Sequence, residues 1–182
     1  MSVSWRRDGD RGKKPVRRLW GRRVVVTGGA GFVGSNIVGR LLEHGADVVV
    51  LDDLFTGRQD NVPEGAELVV GTVCDEEVVA RVVAGADVVV HAAARNIIVS
   101  TRNPREDFEV NIGGSLTVLL AARAAEVERI VYTSSCSIYG NPRHLPISED
   151  DPVSLLSPYA VSKFGGESYC QAFYESYGVP TA

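Results

Sequence analysis

Residues 24–34 are Val24-Val25-Val26-Thr27-Gly28-Gly29-Ala30-Gly31-Phe32-Val33-Gly34. Three consecutive valines are typical of a strand buried in a parallel sheet, and the glycines that follow have G-x-x-G-x-x-G spacing. Apolar side chains then recur at helical spacing, at Ile37, Val38, Leu41 and Leu42. A strand, a glycine turn and a helix in this order predict a cradle for the phosphates of a dinucleotide.

Each glycine of the turn has a separate expected task. Gly28 permits the tight turn, Gly31 lets the backbone approach a pyrophosphate, and Gly34 lets the helix and the strand pack closely. The start of the helix then presents free N–H groups to the phosphate charge. A purely structural turn is the alternative, and the flanking strand and helix favour nucleotide binding over it.

An acidic residue follows at the distance expected for this kind of site. Asp52 ends the second hydrophobic run, 18 residues after Gly34, close to the ~20 expected of the carboxylate that binds the adenosine ribose. A carboxylate there would repel a 2′-phosphate, so NAD is favoured over NADP, although Arg58 nearby weakens the preference. The alternative is a polar residue that ends a strand.

Length and composition limit the possible classes. The chain has 182 residues, 45% of them apolar, which suits one α/β domain, and no apolar run approaches the ~20 residues that span a bilayer. The first 23 residues carry nine Arg or Lys and two acids, with no apolar stretch of a secretory signal. We therefore predict a basic, disordered arm over residues 1–22 and an NAD-binding domain over 23–182.

Charge and cysteine content suggest where the protein works and what it does not bind. Residues 24–182 hold 10 basic and 21 acidic side chains, a net charge of −11, so neither nucleic acid nor a membrane is an expected partner. The three cysteines lack metal-ligand spacing, which predicts no metal site and reduced thiols in the cytoplasm.

Strands and helices alternate along the chain. Further strands are predicted near 68–70, 87–91 and 130–133, and helices near 76–83, 104–126 and 157–178. This alternation predicts a doubly wound parallel sheet, the Rossmann fold, in which ligands gather at the carboxyl ends of the strands.

The second strong motif is Ser157-Pro158-Tyr159-Ala160-Val161-Ser162-Lys163. Ser157 suits a helix N-cap and Pro158 the first turn, which places Tyr159 and Lys163 on one face. A free phenol ionises only near pH ~10, but a neighbouring ammonium and the helix dipole favour the phenolate, which can take a proton from an alcohol. A solvated Tyr–Lys pair is the alternative, and the cradle upstream favours catalysis.

Hydroxyl residues leave the end of the strand near 130–133, in the stretch from Thr133 to Tyr139. A hydroxyl here could bind a substrate oxygen and hold it against the phenolate. The residues alone leave open the alternative of a Ser-rich turn that satisfies its own backbone.

Taken together, these motifs resemble the extended short-chain dehydrogenase/reductase family, in its nucleotide-sugar epimerase and dehydratase branch, over about residues 23–182. The motifs that carry the resemblance are TGGAGFVG at 27–34, Asp52, HAAA at 91–94, NIGGS at 111–115, SSCSIYG at 134–140 and YAVSK at 159–163. The resemblance implies that Ser135 is the catalytic hydroxyl residue and Tyr159 the acid/base. It implies that Lys163 activates Tyr159 and binds the nicotinamide ribose. The other residues implied for the NAD site are Tyr159 itself and Gly28, Gly31, Phe32, Val33, Gly34, Asp52, Asp53, Thr72, Val73, Ala92, Ala93, Ala94, Asn111 and Thr133.

The resemblance also implies a reaction. Family dehydratases usually carry Asp-Glu after the catalytic hydroxyl, whereas this chain has Cys136-Ser137, which is more similar to a 4-epimerase of UDP-glucose or UDP-N-acetylglucosamine. Such an enzyme oxidises the sugar at C4 transiently and does not consume its NAD. A nucleotide-sugar dehydratase, another oxidoreductase of the extended family, and a non-catalytic NAD-binding sensor or assembly module remain alternatives. A UDP-hexose is the implied substrate, and a homodimer through the helices near 104–126 and 158–177 is the implied assembly.

Two departures from the family pattern lead to further expectations. Gly71-Thr72 stands where the family usually has Gly-Asp to bind the adenine amine, so Asp75 is a candidate substitute. The chain ends where family members begin their next strand. We therefore expect it to lack the C-terminal strands and substrate domain, to have low activity or none as this short chain, and to form a homodimer or associate with the missing C-terminal half. The strand near 130–133 would then have a bare edge unless a loop or partner covers it.

Overall fold

The computed structural model describes residues 19–182 and contains a five-stranded sheet with the order β3-β2-β1-β4-β5. All neighbouring strands pair in parallel. The strands are β1 (Arg23–Thr27), β2 (Asp47–Asp52), β3 (Glu67–Val70), β4 (Val88–His91) and β5 (Arg129–Tyr132). The predicted parallel sheet and its strands are confirmed.

Helices connect the strands. They are α1 (Phe32–Glu43), α2 (Glu76–Val83), α3 (Ile97–Arg102), α4 (Pro104–Asp107), a π-helical segment (Phe108–Gly114), α5 (Ser115–Ala124) and α6 (Pro158–Tyr177), with short 3-10 turns at Gln59–Asn61 and Cys136–Tyr139. The predicted helix over 104–126 is confirmed as a helical stretch from 104 to 124, but its middle is a π-helix. Helix α3 was not predicted, because its Ile-Ile-Val start has no helical period; Asn96 caps it instead, accepting from the N–H groups of Ile98 and Val99.

The strands have apolar side chains on both faces because helices cover both faces of the sheet. Even-numbered residues of β1 and β2 form one apolar cluster with Val38 of α1. Odd-numbered residues form a larger cluster with Val79 of α2, Leu119 of α5 and Phe173 of α6. The sheet is therefore doubly wound, as predicted.

The N-terminal boundary differs from the prediction. Leu19–Arg22, expected in the basic arm, lie against the domain. Arg22 makes ion pairs with Asp87 (3.2 Å) and Glu128 (2.6 Å), and the Gly21 N–H donates to the Gly45 carbonyl. Residues 1–18 of the predicted arm lie outside the described residues.

The last residues of the chain cover the outer edge of β5. The Ile130 N–H donates to the Pro180 carbonyl (2.8 Å), the Ala182 N–H to the Ile130 carbonyl (2.9 Å) and the Tyr132 N–H to the Ala182 carbonyl (2.9 Å). The edge of β5 is therefore not bare, because the chain's own C-terminal segment pairs with it in parallel.

Two features are absent from residues 19–182. No helix there combines the length and the apolar character needed to cross a bilayer. No group of three or more His, Cys, Asp or Glu side chains in the same range is arranged to bind a metal ion.

Candidate functional site

The glycine turn is a backbone cradle at the carboxyl end of β1. Gly28 has φ +72° and its N–H donates to the Leu51 carbonyl; a Cβ there would lie 2.7 Å from the Ala93 nitrogen. A Cβ at Gly34 would overlap the Gly28 carbonyl oxygen. Both positions exclude any side chain, so α1 approaches the turn as closely as the sequence predicted.

The start of α1 is open to an anion. Its N-cap is Gly31, no described side chain caps it, and the first turn contains no acidic residue. The side chains of Phe32 and Val33 are 86% and 56% exposed, so these residues can contribute to a site beside the turn mainly through their N–H groups. Free N–H groups and the helix dipole at this position favour a phosphate.

Asp52 lies beside the turn, 7% exposed. Its Oδ2 accepts from the Ala30 N–H and its Oδ1 from the Leu54 N–H, both at 2.9 Å. The carboxylate therefore ties the end of β2 to the glycine turn, a structural role that the sequence did not reveal. Carboxylate oxygens have further lone pairs, so the contact with a ribose stays a prediction.

A cleft opens above the carboxyl ends of β1, β2, β3 and β4. It is lined by Gly28, Gly31, Leu51, Asp52, Asp53, Thr56, Gly57, Gly71, Val73, Ala92, Ala93, Ala94, Arg95 and Val110. Eight of these residues were predicted for the cofactor site. The other predicted residues, among them Phe32, Val33, Gly34, Thr72, Asn111, Thr133, Tyr159 and Lys163, do not line this cleft.

Two polar residues near the third strand serve their own backbone. The Thr72 hydroxyl accepts from the Cys74 N–H at 3.2 Å. Asp75 Oδ1 accepts from the N–H groups of Glu77 and Val78 and so caps α2. These contacts therefore do not support the expectation that Asp75 takes the place of the family's adenine-binding aspartate.

Arg95 is the main lining residue that sequence reasoning missed. Its guanidinium donates to Asp53 (2.8 Å) and to Glu106 (2.7 Å), and it lies 4.0 Å from the centre of the Phe55 ring. The side chain thus joins the loop after β2 to α4 at the cleft. The signal that could have identified Arg95 is its position directly after the HAAA stretch, which begins at the last residue of β4.

Asn111 lies in the π-helical segment and holds the backbone of Arg95. Its Oδ1 accepts from the Arg95 N–H (2.7 Å), and its Nδ2 donates to the Arg95 carbonyl (3.0 Å). Because Arg95 follows the alanines that line the cleft, Asn111 supports the wall of the cleft.

The predicted Tyr–Lys helix is α6. Ser157 is its N-cap, accepting from the Ala160 N–H at 3.1 Å, and Pro158 is its first residue. Tyr159 is half-buried and Lys163 is 2% exposed. The Lys163 ammonium lies 4.2 Å from the centre of the Tyr132 ring, a cation–π contact. Burial lowers the pKa of Lys163 from 10.5 to about 8, against the opposing effects of Cys170, Glu167 and Asp107.

This buried ammonium makes a prediction for stability. We expect Lys163→Met to raise the free energy of unfolding at pH 7 by on the order of 2 kcal/mol, because an uncharged side chain of similar length avoids the desolvation cost. The folded state holds the proton less tightly than the unfolded state. Unfolded chains therefore bind more protons between pH 8 and 10.5, and the parent gains stability over that range.

Urea unfolding at pH 7, 9 and 10.5 measures this difference. The gap between Lys163→Met and the parent should narrow as the pH rises. A gap that stays constant, or a variant less stable than the parent at pH 7, would contradict the prediction.

Ser135 lies in the loop after β5. Its Oγ accepts from the Ser137 N–H at 3.2 Å and lies 3.1 Å from the Ser137 hydroxyl, so it caps the 3-10 turn at Cys136–Tyr139. The alternative of a self-satisfied serine turn therefore describes its present contacts. The turn packs against α6, which makes the hydroxyl loop and the Tyr–Lys helix neighbours. A contact of Ser135 with a substrate stays a prediction.

Two other hydroxyl residues of this loop also have partners. Thr133 Oγ1 donates to the His91 carbonyl at 3.2 Å, which ties the ends of β4 and β5 together. Ser134 donates to Glu167 of α6 at 2.6 Å. These bonds hold the loop against the sheet and against α6.

The sequence is similar to a known protein family and to several characterised proteins. The sequence profile of the NAD dependent epimerase/dehydratase family matches residues 24–182. The UDP-glucose 4-epimerase of Corynebacterium glutamicum is 40% identical over 158 residues, which are 83% of this chain and 47% of the relative. The chain spans about half the length of the curated relatives it matches.

Solved structures show the same similarity. The UDP-glucose 4-epimerase of Thermus thermophilus in complex with NAD is 41% identical with a TM-score of 0.81; the match covers 87% of this chain and 53% of that one. The UDP-glucose 4-epimerase of Thermotoga maritima with UDP-glucose is 33% identical with a TM-score of 0.83 and the same two coverages.

Proposed function

Because the chain belongs to the NAD dependent epimerase/dehydratase family, we propose that it carries the NAD-binding and proton-transfer residues of a nucleotide-sugar 4-epimerase. The resemblance predicted from the motifs is thereby confirmed at the level of the family. The observation that carries the proposal is the side-chain-free glycine cradle at the carboxyl edge of the sheet, with the Tyr159–Lys163 helix packed on the same domain. Residues 23–182 are its proposed NAD-binding domain.

The residues present fit a dinucleotide. The open start of α1 and the close approach at Gly28 and Gly34 leave backbone N–H groups, and no side chain, to meet a pyrophosphate. Asp52 and Asp53 line the cleft where an adenosine ribose would bind, and Lys163 would bind the nicotinamide ribose. The related Thermus thermophilus structure is a complex with NAD, which supports NAD as the cofactor.

The chain's own residues would move a proton. Bound NAD supplies a hydride acceptor that later returns the hydride. Tyr159 would take the proton of the sugar 4-hydroxyl as the C–H bond at C4 breaks, and give it back when the sugar is reduced. Lys163 lies one helical turn further along the same face, where its positive charge would assist Tyr159 in accepting this proton. The Ser135 hydroxyl would exchange its contact with Ser137 for the substrate oxygen and orient it.

The substrate class is proposed to be a UDP-hexose. The Thermotoga maritima relative was solved with UDP-glucose, and Cys136-Ser137 replaces the Asp-Glu pair usual in dehydratases. Dehydratases also occur among the similar structures, so the reaction product decides between the two reactions.

The test measures binding and conversion on one sample of the full chain. NAD binding is followed by isothermal titration calorimetry, and UDP-glucose is then followed by proton NMR with and without NAD. We expect NAD to bind, and UDP-galactose to form slowly and only when NAD is present, because the chain lacks the substrate half of its relatives. A 4-keto-6-deoxy product would indicate a dehydratase, binding without conversion would indicate a non-catalytic NAD-binding module, and absence of NAD binding would overturn the proposal.

Assembly and location complete the proposal. Apolar and aromatic side chains are exposed on the π-helical segment, α5 and α6, at Phe108, Leu120, Tyr169, Tyr174 and Tyr177. Their exposure supports a homodimer through these helices, which light scattering would detect as a doubled mass.

All three cysteines are free, which supports a reducing, cytoplasmic location.

A further inference from the structure

A buried carboxylate lies among three helical segments, outside the cleft. Asp107 is 2% exposed, and its Oδ1 accepts hydrogen bonds from the side chains of Ser100, Asn111 and Ser162. These donors belong to α3, the π-helical segment and α6. A buried carboxylate costs several kcal/mol unless charge or hydrogen bonds compensate it. The oxygen of a neutral asparagine amide could accept the same three hydrogen bonds. The bonds alone therefore do not explain why this position has a carboxyl group.

One of the three donors places Asp107 next to the proposed proton-transfer residues. Ser162 lies between Tyr159 and Lys163 on α6, is 1% exposed, and is 2.9 Å from Asp107 Oδ1. Its hydroxyl is also 3.0 Å from the Tyr159 carbonyl. Asp107 therefore holds the first turns of α6, which carry the Tyr–Lys pair, against the π-helical segment.

The charged and titratable groups around Lys163 indicate why position 107 has a carboxyl group and not an amide. The groups that act on its ammonium are Cys170 and Glu167 on α6 and Asp107 on α4, while the ring of Tyr132 on β5 covers it. Burial raises the pKa of Cys170 to about 11 and lowers that of His91 to about 3, so both are neutral at pH 7. Glu167 acts on Lys163 more strongly than Asp107 does, but it is half-buried and bound to Ser134. Asp107 is the fully buried carboxyl group among them.

We propose that Asp107 is a positioning residue for the Tyr159–Lys163 pair, which holds α6 through Ser162 and keeps the Lys163 ammonium charged in a buried site. This inference rests on the proposed function of Tyr159 and Lys163. Without the Asp107 charge, Lys163 would lose its proton at a lower pH, and its positive charge would no longer act on Tyr159 near neutrality.

The experiment titrates Lys163 directly in the full chain. The sequence has three lysines, Lys13, Lys14 and Lys163, so a protein labelled with 13C at the lysine ε-carbons gives three signals, and Lys163→Met identifies the relevant one. Asp107→Asn preserves the accepting oxygen and removes the charge. We expect its Lys163 midpoint to fall by on the order of one pH unit, with the thermal midpoint nearly unchanged.

Two control variants separate charge from structure. Glu109→Gln removes an exposed charge two residues further along the chain. Ser100→Ala removes the hydrogen bond between Asp107 and α3 while keeping the charge and the bond to Ser162. Both should leave the Lys163 midpoint where it is in the parent. A shift in either control as large as that of Asp107→Asn would overturn the proposal.

The remaining outcomes are also decisive. An unshifted Lys163 midpoint in Asp107→Asn would overturn the proposal. Failure of this hydrogen-bond-preserving variant to fold would overturn it too, because Asp107 would then act on the fold as a whole. The titration requires no cofactor. If the parent fails to bind NAD, the proposed function is overturned whatever the titration shows, whereas an unshifted midpoint in a chain that binds NAD overturns the positioning role alone.

Discussion

Gly34→Ala is expected to remove measurable NAD binding and to lower the thermal unfolding midpoint by roughly 6–12 °C. The new methyl group would overlap the Gly28 carbonyl oxygen. Because that atom belongs to the backbone of the turn, no side chain can rotate away, and α1 must move off the glycine cradle. The movement displaces the N–H groups at the start of α1 that we propose to bind the pyrophosphate. Calorimetric NAD titration and thermal unfolding measure the two effects.

The same helix offers a matched control. A Cβ at Gly39 would lie 3.9 Å from Pro63 Cγ, an ordinary contact. Gly39→Ala should therefore leave NAD affinity unchanged and stabilise the helix by up to about 1 kcal/mol, since alanine is a better helix former than glycine. A Gly34→Ala protein that binds NAD as the parent does would show that the close approach of α1 to the turn is not required for the site.

The sheet was predictable because its strands have strong local signals. Valine-rich runs buried on both faces, separated by glycine turns and helical periods, specify parallel strands without reference to distant residues. The bounds of β5, α2 and α6 lie within one residue of those expected. The pairing of the last residues with β5 was less accessible, because Pro180–Ala182 are too short to show a period.

The π-helical segment depends on contacts that no local pattern contains. Asn111 turns towards the Arg95 backbone, 16 residues away in sequence, and Gly114 lies so close to Val73 that a side chain would overlap it. A helical period predicts the helix over this stretch correctly, but the widened turn forms where distant partners require it.

The candidate site was predictable in its positions and less so in its partners. Eight of the predicted residues, at the carboxyl ends of β1 to β4, line one cleft. However, Asp52 and Ser135 also serve the backbone, a use that their spacing does not reveal. The partners of Arg95 and Asp107 lie up to 55 residues away in sequence, so each looked like an ordinary charge on a loop or helix.

The buried histidine of β4 illustrates the same limit. His91 Nδ1 is 2.7 Å from the Thr27 hydroxyl and its Nε2 is 2.9 Å from the Ser115 hydroxyl. Ser115 donates to the Asn111 carbonyl, so His91 must donate from Nε2 and accept at Nδ1. This chain of bonds connects β1, β4 and the helix after the π-helical segment beneath the cleft. The HAAA motif identified the position of His91 but not these partners.

Tyr159→Phe is expected to lower the rate of UDP-glucose conversion by about 10²–10⁴-fold, the range in which a positioned acid/base contributes. Phenylalanine keeps the ring and its packing but cannot take the proton of the sugar hydroxyl. The Ser157 cap, the Lys163 site and the glycine cradle are untouched. NAD affinity should therefore stay within a few-fold of the parent, so that the loss lies in the chemical step.

Tyr169→Phe is the matched control, since it removes a hydroxyl from an exposed tyrosine ten residues further along the same helix. Its conversion rate and NAD affinity should equal those of the parent. Equal rates for Tyr159→Phe and the parent would mean that another group carries the proton. Loss of NAD binding in Tyr159→Phe would mean that the hydroxyl holds the cofactor rather than the proton. A slow variant with its cofactor still bound fits the proposed role, because the lost hydroxyl would then matter for the transfer of the proton and not for the binding of NAD.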